Sequence, residues 1–167
     1  MVFAILTMFS GQIVGMSVGV AEGPIETWIE HTIAAHPDNP DLIKKSPKEV
    51  EKKAFRYILR GHFHGTGIGA MSVALILALG VSWVSARWKT ILSLGVGVGG
   101  FLYPLCWLGS GLLMPSMGKA AAKGAVEWLV FPSIAAQFTC MCVILWIWWA
   151  SFRSADGIPD GYDALKR

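Results

Sequence analysis

Residues 128–152 read WLVFPSIAAQFTCMCVILWIWWASF, a run with no Asp, Glu, Lys or Arg in it. At 1.5 Å per residue, a helix of this length exceeds the ~30 Å hydrocarbon core of a bilayer. In lipid only a helix satisfies its own backbone within one segment, so a strand is excluded here. Working outward, three more such runs appear. They lie at 2–21, 61–83 and 90–114. Trp83, Trp88, Trp128, Trp146, Trp148 and Trp149 fall near the ends of these runs, where an interfacial belt would place them. The reading is an all-α integral membrane protein forming one domain over 1–167, a bundle of four transmembrane helices.

Composition agrees. Charged residues are 15% of the chain against about a quarter in soluble domains, and they sit in blocks between the apolar runs. A net charge of +3 gives no case for nucleic acid. The expected partners are the lipid bilayer and other membrane or cytochrome subunits. A bacterial cytoplasmic (inner) membrane is the expected location. The first run lacks the basic start of a secretory signal, so it reads as a retained helix. Cys106, Cys140 and Cys142 all fall in apolar runs and read as small buried side chains.

The connection 22–60 divides in two. Ile25, Trp28, Ile29 and Ile33 share one helical face, which predicts an amphipathic helix lying on the membrane surface between helices 1 and 2. Pro37-Asp38-Asn39-Pro40 ends it. Ser46-Pro47-Lys48-Glu49 then has the form of a capping box with proline at the first helical position. Nothing interrupts the pattern from there into the second span, so one long helix is expected. Residues 115–127 link the third and fourth spans, and 153–167 form a tail. Orientation stays open. A count of Lys and Arg puts 22–60 in the cytoplasm, but Glu22, Glu26 and Glu30 directly after the first span oppose it.

The chemistry-bearing stretch is His62-Phe63-His64-Gly65-Thr66-Gly67-Ile68-Gly69, at the mouth of the second span. Gly61, Gly65 and Gly69 form a stripe that allows close approach of a helix or a flat cofactor. Neutral imidazole is a good metal ligand, and His62 and His64 point about 200° apart on a helix. At most one of them therefore faces a given cofactor. A b-type haem needs one or two axial ligands. Met114, Met117, His31 and His36 lie on the same side of the membrane and are candidates for the second. Arg56, Arg60 and Lys119 lie where propionates would emerge, and Tyr57, Phe63, Trp107 and Trp128 are candidates to wall a planar ring. Metal candidates are thus His62, His64, His31 and His36. The simpler alternative is that the histidines meet headgroups and the glycines meet a helix.

The His62–Gly69 stretch resembles the His-x-His-x-x-x-x-Gly pattern of relatives of the haem-copper oxidase catalytic subunit and of small membrane proteins grouped with them. The resemblance covers eight residues. It implies a haem held by histidines near helix ends. The third and fourth spans contain no histidine, so an oxygen-reducing haem-copper centre within this chain alone is excluded. The resemblance therefore implies one haem, or a shared one, in a partial bundle.

No residue is assigned a catalytic role, and nucleotide-loop, zincin and serine-hydrolase motifs are absent. No carboxylate lies within a span, which argues against a polar-substrate transporter. The expectation is a membrane subunit of an electron-transfer complex, respiratory or quinone-linked. It would bind or contact haem b through His62 or His64, with a quinone as the other candidate cofactor. It is not expected to be catalytic alone. The alternative is a cofactor-free structural or assembly subunit of a larger membrane complex.

Overall fold

A computed structural model describes residues 1–153; the expected tail beyond Arg153, including Lys166 and Arg167, lies outside the described residues. Three long α-helices and one short 3-10 turn make up the described residues. They are α1 (Val2–Ala35), the turn Pro40–Ile43, α2 (Pro47–Gly80) and α3 (Ala86–Arg153). All three helices are long and apolar enough to cross a membrane.

This corrects the expected bundle of four transmembrane helices with a separate interfacial helix. The amphipathic segment is the continuation of α1. The helix bends at Ala21 (φ −121°, ψ 30°), just before Pro24, and resumes at once. Pro24 lacks an N–H and crowds the carbonyl four residues back, which accounts for the bend. Part of its apolar face is turned into the protein, while Trp28 on the same face is exposed. Ile29 and Ile33 are buried against Val50, Ala54, Ile58 and Met114. An apolar stripe read from sequence names what must leave water, not what covers it.

The expected link 115–127 is helical as well, except at Gly118, so the third and fourth runs lie in one continuous helical segment, α3, as two helical arms that meet at Gly118. Gly118 has φ 80° and ψ 164°, a conformation that favours glycine. The two arms of α3 double back there. Gly109 lies against Val126, Gly99 against Ser133 and Gln137, and Gly95 against Cys140. Numbers fall on one arm as they rise on the other, the signature of antiparallel packing. At the far end the Trp83 indole N–H donates to Ser151 Oγ at 2.8 Å.

The turn Pro40–Ile43 holds this bend. The Asn39 amide donates to the carbonyls of Met114 (3.1 Å) and Pro115 (2.8 Å). Asp41 accepts from the Lys119 backbone N–H at 2.9 Å and pairs with Lys45 at 2.8 Å. One side chain thus serves orphan carbonyls at the end of the first arm, and the other serves an orphan N–H at the start of the second. Burial pushes the Asp41 carboxyl up. The hydrogen bonds from Lys45 and Lys119 and the nearby charges of Lys45 and Lys53 outweigh it and hold the carboxyl below its ordinary value.

As the sequence predicts, α2 starts at a capping box: the Glu49 carboxylate accepts from the Ser46 N–H at 2.9 Å, and it runs unbroken through the second apolar stretch. Two apolar cores form. One gathers Ile29, Ile33, Val50, Ile58 and Met114 near the bend, and the other gathers Leu79, Leu92, Val96, Ile144 and Ile147 at the opposite end. Between them lies a waist of small residues.

Asn39→Ala should cost about 2–3 kcal/mol, because it removes two hydrogen bonds and leaves buried carbonyls unpaired. Gly118→Ala should cost about 1–3 kcal/mol from backbone strain; a Cβ there would also lie 2.9 Å from Pro40 Cγ. Thermal unfolding in detergent reads both, and an unchanged melting temperature in both would refute the latch. Because the folded Asp41 carboxyl is held low, its contribution is full at neutral pH and is lost as pH falls through the carboxylate range. Asp41→Asn should flatten that acid limb of the stability profile.

Candidate functional site

The waist explains the glycine stripe. A Cβ on Gly65 would lie 2.8 Å from the Gly11 Cα, and one on Gly69 would lie 2.7 Å from the Met8 Cα. Gly61 faces α3 instead, where a Cβ would lie 3.3 Å from Leu108. The stripe therefore seats α1 on one flank and α3 on the other. Close backbone approach of this kind is how helices associate where lipid removes the hydrophobic driving force.

His62 and His64 point to opposite sides of α2, as their spacing requires. His62 faces α1. Its Nδ1 lies 2.7 Å from the Gly11 carbonyl oxygen, with the Thr66 hydroxyl 3.4 Å away. A carbonyl only accepts, so Nδ1 carries the proton, and in the neutral ring Nε2 keeps the lone pair. The ring sits over Gly15, where a Cβ would collide with it. His64 faces α3. Its ring stacks on Trp107 at 5.6 Å and tilts on Tyr103 at 5.2 Å.

One turn before His64, the Arg60 guanidinium lies 4.9 Å over the Trp107 ring and 5.4 Å over Tyr57. Lys123 reaches the same Tyr57 ring at 6.0 Å. Tyr57 and Trp107 pack at 5.2 Å. Of these rings, Trp107 borders a cleft of about 320 Å³ between the arms of α3, lined also by Tyr103, Lys123, Glu127, Phe131 and Ile134 among others; Tyr57 is buried beside it.

The other expected residues are not brought to either histidine. Met114 is 1% exposed within the core beside Ile29 and Val50, two sides of a cluster that leaves it no opening. Gly61 pairs with Leu108 and Gly111 with Ile58, so Met114 lies about 10–15 Å along the helix axis from the histidines. Axial ligands share one iron, so that separation is too large. Met117 is exposed beside the bend. His31, on the far part of α1, and His36, just past its end, are exposed, and His36 Nδ1 donates to the Thr32 carbonyl at 2.8 Å. Arg56 is exposed. Of the expected ring walls, Tyr57 and Trp107 come together, Phe63 is exposed with its ring tilted against His62 at 5.0 Å, and Trp128 is exposed elsewhere. Among the described residues, no three His, Cys, Asp or Glu side chains converge to hold a metal.

Sequence reasoning missed Tyr103 and Lys123. Tyr103 had a signal: it stands four residues before Trp107, on the same helical face. Lys123 had none, because only the fold-back at Gly118 brings it to Tyr57.

No known protein family, curated protein or solved structure matches this chain. The apolar helices themselves define the class, a helical membrane protein in contact with lipid.

Gly65→Leu should undock α1 from α2, at a cost above the ~1–3 kcal/mol of ordinary overpacking, because backbone rather than a flexible side chain must move. Gly67 has open space at its Cβ position, so Gly67→Leu should leave stability nearly unchanged. Melting of the two variants side by side checks this. Equal losses would mean that the waist is not the contact described.

Proposed function

We propose that this protein is a membrane subunit of a quinone-linked electron-transfer assembly, in which it supplies one histidine ligand, His62, to a b-type haem shared with a neighbouring subunit. The observation that carries the reading is the bond from His62 Nδ1 to the Gly11 carbonyl. Metal-ligating histidines nearly always donate their other ring nitrogen to such an acceptor, which fixes the tautomer and raises ligand basicity. Among the described residues no second ligand is found beside His62, so the opposite ligand would come from the partner. The haem would supply one-electron redox chemistry. This chain's part is to orient the imidazole through Gly11 and Gly15 and to keep it at the membrane boundary.

A second reading has its own observation. Gly65, Gly69 and His62 are all engaged in packing α1 on α2, which is sufficient reason for the motif in a cofactor-free assembly subunit.

A reduced-minus-oxidised spectrum of the assembly isolated in mild detergent, with a pyridine haemochrome assay, separates the two. The haem reading expects a b-type band that is lost in His62→Ala and kept in His64→Ala. A folded assembly with no such band, in which His62→Ala only lowers the melting temperature, would replace it with the second reading.

A further inference from the structure

We propose that the cleft between the arms of α3 is a binding site for an anionic phospholipid, with the phosphodiester held by Arg60 and Lys123. Three observations converge. First, both cations reach the Tyr57 ring, at 5.4 and 6.0 Å, from different helices. Among the described residues, neither forms an ion pair with a carboxylate. Lys123 lines the cleft, and Arg60 stands beside it over the Trp107 ring that lines it too, so an anion held between the two cations would relieve the repulsion of their like charges. Glu127 also lines the cleft, but it is exposed and leaves the cations in excess.

Second, the depth is right. Arg60 is the last charged residue of α2 before its apolar stretch, and Glu127 is the last on the second arm of α3 before its own. Lys123 lies one turn outside Glu127. The cations therefore stand at the level where lipid phosphates reside, and rings such as Trp107 favour that boundary.

Third, the cleft continues as an apolar groove. A second hollow of about 250 Å³ is lined by Ile68, Met71, Phe138 and Met141, and it shares Tyr103 and Ile134 with the first. A headgroup at the cationic mouth would let one acyl chain follow Phe131, Ile134 and Phe138 into the membrane. That continuity favours a lipid over a free phosphate ion. The site lies on the α3 side of α2, away from His62, so it stands independently of any haem reading.

Native mass spectrometry of the full chain in neutral detergent tests this, with equal phosphatidylglycerol and phosphatidylcholine of identical acyl chains. Two cations at a membrane surface predict a preference for phosphatidylglycerol of about tenfold to thirtyfold. Arg60→Gln with Lys123→Gln should abolish it, and Lys123→Gln alone should remove part of it. Lys44→Gln with Lys48→Gln, at exposed sites away from the cleft, should leave it intact. Excess inorganic phosphate should not displace the lipid. The proposal is overturned if the unaltered protein shows no preference, if the double Arg60/Lys123 variant keeps it, or if phosphate competes. Lys123 is exposed, so should the double variant fail to fold, the single variant decides the matter, and a Lys123→Gln protein that keeps the full preference overturns the proposal.

Discussion

Gly118 turns out of the helix at φ 80°, and the short segment around Asn39 and Asp41 occupies the space that this turn opens. The rest of the structure depends on that contact. A helix of α3's length without a bend would extend far beyond a bilayer. Breaking it exposes carbonyls on one side and N–H groups on the other. Asn39 and Asp41 serve both sets, from a segment separated from them by all of α2. The same contact ties the α1–α2 connection to α3, so Ile29 and Ile33 meet Met114 and Ala122 in one core.

From that anchor inward, contact changes character. Near the bend and at the opposite end, branched and aromatic side chains fill the space between helices. At the waist, backbone meets backbone across Gly11, Gly65 and Gly69, and across Gly99 with Ser133. Small residues at the waist allow dispersion contacts where lipid offers no hydrophobic gain from association. They also decide what the histidines do. With α1 this close, His62 reaches the Gly11 carbonyl, and with α3 this close, His64 lies on Trp107.

The candidate site was legible in part. Spacing alone put His62 and His64 on opposite faces, and the structure agrees. Depth along the chain nominated Met114 as a ligand, but depth is a coarse coordinate. Met114 shares a side of the molecule with the histidines and still sits turns away in a closed core, because Gly111 brings Ile58 rather than His62 alongside it. The cationic mouth was half visible: Arg60 was singled out for its position, yet its companion Lys123 arrives only through the fold-back of α3.

The sequence by itself determined that the chain is helical and suited to lipid, where α2 begins, and which faces are apolar. Those properties are local: long uncharged runs, a capping box and a period set by helix geometry. It did not determine how many independent helices there are or what each face meets. The bend at Ala21 and the single break at Gly118 look, in sequence, like the gaps between separate helices. Whether a break frees a new element or only folds an existing one depends on which distant groups satisfy the exposed backbone. Here those groups are Asn39 and Asp41, and only the tertiary structure brings them there.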